Sequence, residues 1–191
     1  MKIFYNFSAR AIPEYRAECI KIYDLVWEMG YVHTYSTDTG KDAVRNVYNA
    51  SEESMQNLYS EAVRALGEAD IIVLELSVHS FTQGYLVKKA LDQGKPVIGL
   101  HHDTTHVAFA LGIEDENFQT YSYNLENSKQ VLKDALSFAL EKTDIRFNMM
   151  LSSKLNTYLK WAARDLKVTR ASFVRNLLQQ HLETNQRYIE K

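Results

Sequence analysis

The stretch that decides the fold is Asp70–Leu100, "DIIVLELSVHSFTQGYLVKKALDQGKPVIGL". Its first seven residues form a nearly continuous β-branched and aliphatic run, the pattern of a strand buried on both faces of a parallel sheet. From about Phe81 to Gln93 the spacing turns helical, and Gly94 closes the helix. "KPVIGL" (95–100) is a second buried strand. Strand, helix, strand within 31 residues is a crossover unit, which makes the two strands parallel.

The same alternation extends to both sides. "KIFYNF" (2–7) is a short apolar and aromatic strand, followed by Pro13 where a helix can begin. Tyr15, Cys19, Ile22, Tyr23, Leu25 and Val26 recur at helical spacing up to Gly30. "YVHTYS" (31–36) reads as a strand and "STDTGKDAVRN" (36–46) as a loop. Ser51 with Glu52 and Glu53 opens a helix to about Glu68. "FQTYSY" (118–123) is a weaker strand, and Ser128–Leu140 is the last helix of this region. The expectation is an α/β fold, a doubly wound parallel sheet of Rossmann-like type over residues 1–142.

Ligands of such sheets bind at the carboxyl ends of the strands. Those ends carry "NFSAR", "ELSVHS" and "LHHDTTH", all rich in donors. There is no GxGxxG and no Walker A spacing, and with 7 glycines in the chain a phosphate would have to be held by side chains and helix N-termini. No cofactor is expected. His101, His102, Asp103 and His106 suggest a metal set, but adjacent residues of an extended strand point to opposite faces, so a rim of hydrogen-bonding histidines is the simpler reading. Glu75, at the end of the central strand, is a candidate acid; a strand-end carboxylate equally bonds neighbouring loops. Ser8 and Ser80 equally cap helices.

The one cysteine, Cys19, lies on a helical apolar stripe and allows no intrachain disulfide. No apolar run approaches the ~20 residues of a membrane span, and "MKIFYNFSAR" lacks the pattern of a signal peptide. A cytoplasmic protein without a membrane partner is expected. The net charge of −2 hides a segregation: residues 142–191 hold 10 Lys and Arg against 4 Asp and Glu, whereas 1–141 hold 12 against 20. A basic tail on an acidic body points to a polyanion partner, or to a tail docked on its own body.

That tail, "IRFNMMLSSKLNTYLKWAARDLKVTRASFVRNLLQQ" (145–180), has its own pattern. In "IRFNMML", Phe147, Met149 and Leu151 alternate with Arg146, Asn148 and Met150, as on the two faces of a strand. Ser152 and Ser153 open a helix with Leu155, Leu159 and Ala162 on one stripe. After a break at Lys167–Val168, Thr169 stands at an N-cap and Phe173, Val174, Leu177 and Leu178 form a second stripe. About 40 residues of this kind bury too little surface alone, and dimerisation is the physical remedy.

The segment from about Asp144 to Glu183 resembles the ribbon-helix-helix (Arc/MetJ type) DNA-binding domain, with "TRASFVRNLL" similar to the start of that family's second helix. The resemblance implies a C-terminal domain over 143–191 whose paired strands enter the major groove of double-stranded DNA. Arg146, Asn148 and Met150 would then meet base edges, as guanine, adenine and thymine-methyl contacts respectively. Amides near Thr169 and Arg170 would hold a phosphate. Met150 departs from the family, whose third ribbon position is commonly polar or basic.

Residues 1–140 resemble a second family. "KIFYNFSARA" is similar to the first strand and phosphate loop of the nucleoside 2-deoxyribosyltransferase-like superfamily, especially its 2′-deoxynucleoside 5′-monophosphate N-hydrolase branch. "EADIIVLELSVHSFTQGYLVKKALDQGKPVIGL" is similar to its central strand, active-site helix and next strand. The resemblance implies cleavage of the bond between deoxyribose and base, with a glutamate nucleophile in a "GYE" segment. Here that segment is "GYL", and Leu86 cannot attack an anomeric carbon. The family's ribose-positioning aspartate falls on Ala62, beside Glu61, and its first-strand tyrosine on Phe4, beside Tyr5. Ser8, Arg10 and Ser80 match positions that hold the 5′-phosphate.

The expected function is therefore a DNA-binding transcriptional regulator, a homodimer or dimer of dimers. Its catalytically impaired nucleotide-type pocket would sense a nucleotide or another phosphorylated small molecule. The alternative is an N-glycosidase or deoxyribosyltransferase with a relocated acid, Glu75 or Glu61.

Overall fold

The computed structural model describes residues 1–142, 149–166 and 168–185, with the backbone alone at 171, 172, 175 and 179. The chain divides into two compact units, Met1–Asp144 and Ile145–Lys191.

The first unit is built on five strands: β1 (Lys2–Phe7), β2 (Val32–His33), β3 (Ile71–Glu75), β4 (Val97–His102) and β5 (Phe118–Tyr123). All pairings are parallel, in the order β2-β1-β3-β4-β5. β3 lies at the centre, and all five of its residues are buried, as its unbroken apolar run requires. The order reverses between β1 and β3, in register Phe4↔Ile72 and Phe7↔Glu75. Such a reversal opens a crevice at the carboxyl ends of the two strands.

Helices cover both faces, as a doubly wound sheet demands. The face carrying Ile3, Tyr5, Val73, Ile98 and Leu100 packs on α1 (Ile12–Glu28) and α6 (Ser128–Lys142). The other, with Phe4, Ile72, Leu74 and Val97, packs on α3 (Glu52–Glu68) and α4 (Phe81–Leu91). Alternate residues of each strand thus feed separate cores. Gly30 (φ 83°) and Gly94 (φ 65°) follow α1 and α4 in the left-handed conformation that a side chain resists. Two short helices complete the unit, α2 (Ala43–Tyr48) and α5 (Ala108–Leu111).

Two local expectations need correction. The strand expected over 31–36 is only two residues long, because Tyr35 leaves the sheet and stacks on Phe4 with ring centroids 5.3 Å apart. The loop expected over 36–46 contains the start of α2. Its polar sequence hides the anchor, buried Ala43, and the brace from Arg16 Nε, which donates to the Thr39 carbonyl at 2.9 Å.

The second unit contains α7 (Ser153–Asp165) and α8 (Arg170–Thr184). Ser152 caps α7 by accepting from the Leu155 N–H at 3.4 Å. Ala162, Ala163 and Phe173 are buried between the helices, and Tyr158 meets Phe173 edge-on at 6.3 Å. The expected ribbon is not seen: Arg146 and Asn148 lie outside the described residues, as does Lys167 at the interhelical break. Among the described residues Met149, Met150 and Leu151 are in no strand, and Met150 is fully exposed. Among the described residues no helix is long and apolar enough to cross a membrane.

Candidate functional site at the carboxyl edge of the sheet

At the carboxyl ends of β1 and β3, buried polar side chains stand in otherwise apolar surroundings. Asn6, the one polar residue in the second half of β1, is buried, and its Oδ1 accepts from Gln83 Nε2 of α4 at 2.5 Å. Gln83 stands in the first turn of α4 on the same stripe as the buried Leu86, Val87 and Ala90. Its Oε1 is buried with no hydrogen-bond partner among the described residues. The pair ties β1 to α4 across the point where the strand order reverses.

On the opposite face, Glu75 ends β3 at 1% exposure. The Ser77 N–H donates to its Oε1 at 3.1 Å, and the Ser77 hydroxyl donates to the same oxygen. Oε2 is buried and unpartnered among the described residues. Removal from water pushes the carboxyl up from 4.5 to about 7, against the pull of the two Ser77 bonds. The Ser77 oxygen also accepts from the His102 N–H at 2.7 Å, which joins the ends of β3 and β4. Tyr5, Cys19 and Tyr123 surround this carboxyl electrostatically; burial raises all three, so they stay protonated. The Tyr5 hydroxyl donates to the Cys19 carbonyl at 3.1 Å, and the Tyr123 hydroxyl has no partner among the described residues. Cys19 is core, as its stripe suggested.

The other singled-out residues separate into two groups. Leu86 is buried with Phe4 and Leu74, so the position a nucleophile would need is filled by apolar packing. Glu61 is exposed on α3 and Ala62 half-buried beside it. Ser8 acts as a cap: its Oγ accepts from the Arg10 N–H at 3.3 Å, and the Arg10 side chain is exposed. Ser80 is the N-cap residue of α4 but makes no side-chain capping bond. In the C-terminal unit Arg170 begins α8, and the Thr169 carbonyl accepts from the Phe173 N–H at 2.9 Å.

The histidines form a rim. His102 Nδ1 lies 2.8 Å from Thr104 Oγ1 and 3.2 Å from Asp103 Oδ1, and its ring leans on Tyr15 at 5.2 Å. His101 Nδ1 lies 3.2 Å from the His102 carbonyl. Among the described residues no group of three His, Cys, Asp or Glu side chains is arranged to hold a metal ion.

Asn6, Gln83 and Ser77 are the site residues that sequence reasoning passed over. The available signal was a polar residue inside an apolar strand and another on a buried helical stripe. Nothing in the sequence paired them, since Asn6 and Gln83 are 77 positions apart.

No family model matches the chain, and no curated protein matches its sequence. Forty-two chains of solved structures match it. One is the CMP N-glycosidase BcmB of Clostridium botulinum, with 16% identity and a TM-score of 0.45 over 72% of this chain and 99% of that one.

Proposed function

We propose that the protein is a DNA-binding regulator in which the C-terminal unit binds double-stranded DNA as a dimer. In this reading 143–191 is a ribbon-helix-helix domain, and Arg146, Asn148 and Met150 read the major groove. The observation that carries the reading is the surface of α7 and α8. Leu155, Trp161, Leu166, Leu177 and Leu178 are all exposed in the single chain, in a segment with 10 basic and 4 acidic residues. Apolar stripes of that extent need a partner, and the surplus of cations gives a polyanion something to bind. The α/β unit serves as a ligand-binding body, with Ser80 and Arg10 at an edge suited to a phosphorylated molecule and with Leu86 excluding covalent glycosyl transfer.

The test is fluorescence anisotropy with fragments of the source genome at rising salt. Affinity should fall steeply because counterions released into a more concentrated salt solution gain less entropy, by about 10³-fold or more between 50 and 200 mM salt if six or more phosphates are contacted. Replacing Arg146 and Asn148 together by Ala should abolish discrimination between fragments while leaving weak salt-dependent binding. Unaltered discrimination removes the ribbon from the reading.

A second reading rests on Glu75. A buried acid at the ligand edge with a pKa near 7 is suited to protonating a departing base, so the α/β unit would be an N-glycosidase with a relocated acid. Incubation with deoxynucleoside monophosphates should then release free base, and Glu75→Gln should stop it. Absence of free base ends this reading.

A further inference from the structure

Helix α3 is longer than the surface it packs on. Its final turns seat Ala65 and Leu66 in the core, but every residue from Ser51 to Glu61 is exposed. The uncovered half is not polar all round. Met55, Leu58, Tyr59 and Ala62 continue the stripe of Ala65 and Leu66 at helical spacing, two turns beyond the point where the body ends. A helix half of this length without tertiary cover is marginal by itself. Tyr59 is held in place by Tyr85 of α4, hydroxyl to hydroxyl at 2.7 Å. One turn before Tyr85, Phe81 extends the same apolar surface onto α4.

We propose that this surface is a homotypic interface, in which α3 packs antiparallel against α3 of a second copy of the chain about a two-fold axis beside Leu58 and Tyr59. Three features select a second copy. The seam is free of charge, because Glu53 points to the back of the helix and Glu52 and Glu61 lie to its sides. Antiparallel pairing about that axis sets Met55 against the partner's Ala62, large against small, and Leu58 against the partner's Tyr59, so that the two Leu58 residues flank the axis. The area also fits. Met55, Leu58, Tyr59 and Phe81 are 43, 40, 53 and 89% exposed. With ordinary side-chain areas they offer roughly 450 Å² of apolar surface per protomer, and a standard interface takes about 800 Å² from each partner, a little over half of it apolar. This pairing joins α/β units and is independent of any pairing between C-terminal units, so the protein would have two ways to meet itself.

The full-length chain supplies the test through cysteine cross-linking, since Cys19 is fully buried and does not compete. Leu58→Cys places a thiol on the seam; Ser60→Cys places one on the exposed back of the same turn. Under mild oxidation at micromolar protein, most of the Leu58→Cys chain should run as a covalent dimer on a non-reducing gel, at least about tenfold more than Ser60→Cys. Adding Met55→Glu to Leu58→Cys should return it to the Ser60→Cys level, with the circular dichroism unchanged. Equal yields from the two single variants, or no dimer from Leu58→Cys, overturns the proposal. Either result leaves the DNA-binding test unaffected, because its residues lie in the other unit.

Discussion

The two units carry similar side chains and treat them differently. In the α/β unit, β3 buries all five residues between two cores, and Leu66, Leu74 and Leu100 are inaccessible. In the C-terminal unit, Leu155, Leu177 and Leu178 face outward, and only Ala162, Ala163 and Phe173 are buried among the residues described there. A sheet covered on both faces completes its own core; a pair of helices has one contact face each and leaves the rest of its stripes open. The contrast is between a unit that closes its own core and one that leaves apolar stripes open.

The largest expected effect tests the self-sufficient side. Leu74→Ala should destabilise the α/β unit by about 2–5 kcal/mol, the sum of lost transfer energy and an unfilled cavity. Leu178→Ala, at an exposed position, should leave the unfolding midpoint of that unit within about 0.5 kcal/mol of wild type. Denaturant melts followed by circular dichroism compare them. A large loss from the second substitution would show that the two units unfold together and would dissolve the contrast.

How much was legible in the sequence follows the same division. β3 was readable because it is central: burial on both faces forces an unbroken apolar run, and Glu75 interrupts it only at the last residue. Gly30 and Gly94 marked their helix ends because a positive φ leaves little choice of residue. β2 was over-read because it is an edge strand, where two paired residues suffice and Tyr35 is free to turn inward onto Phe4. In the site, Leu86 could be seen to lack the chemistry of a nucleophile, but not that Phe4 and Leu74 close around it. The Glu75–Ser77–His102 arrangement escaped because its decisive bonds involve backbone N–H groups, which every residue has. Ser8 and Ser80 looked alike in sequence; only the bond from Arg10 N–H to Ser8 Oγ distinguishes a satisfied cap from an unused one.

A second prediction concerns pH. Glu75 has a folded pKa near 7, above its ordinary 4.5, so the folded protein holds this proton more tightly than the unfolded chain does. The linked stability is fully present below pH 4.5 and is lost as pH rises to about 7, after which it is constant. The loss should be on the order of 3 kcal/mol. Glu75→Gln cannot ionise. Across pH 4.5 to 8 the stability of wild type should therefore fall relative to the Gln variant by that amount, read from denaturant midpoints at each pH. Parallel curves would mean that Glu75 is hydrated in solution, and the buried acid invoked for glycosidase chemistry would be absent too.

The smallest effect sharpens the comparison at its least covered points. Ser51 and Ser152 are both helix caps, accepting from Ser54 N–H at 3.2 Å and Leu155 N–H at 3.4 Å. Replacing such a cap by Ala costs about 1 kcal/mol of local helix stability. How far that cost spreads depends on what the helix end is coupled to. The first turns of α3 have no tertiary cover in the single chain, so in a protomer by itself Ser51→Ala should fray them and leave the global midpoint almost unchanged. If α3 is packed against a second copy, fraying removes part of the interface, and the same substitution should make the midpoint depend more steeply on protein concentration. Ser152→Ala has the same relation to the C-terminal dimer proposed above. Hydrogen exchange at residues 52–58 and 153–159, measured at two protein concentrations about 100-fold apart, separates the cases. Protection that rises with concentration in one segment and not in the other identifies which surface a second copy covers, since a helix turn exposed in both states gains nothing from mass action.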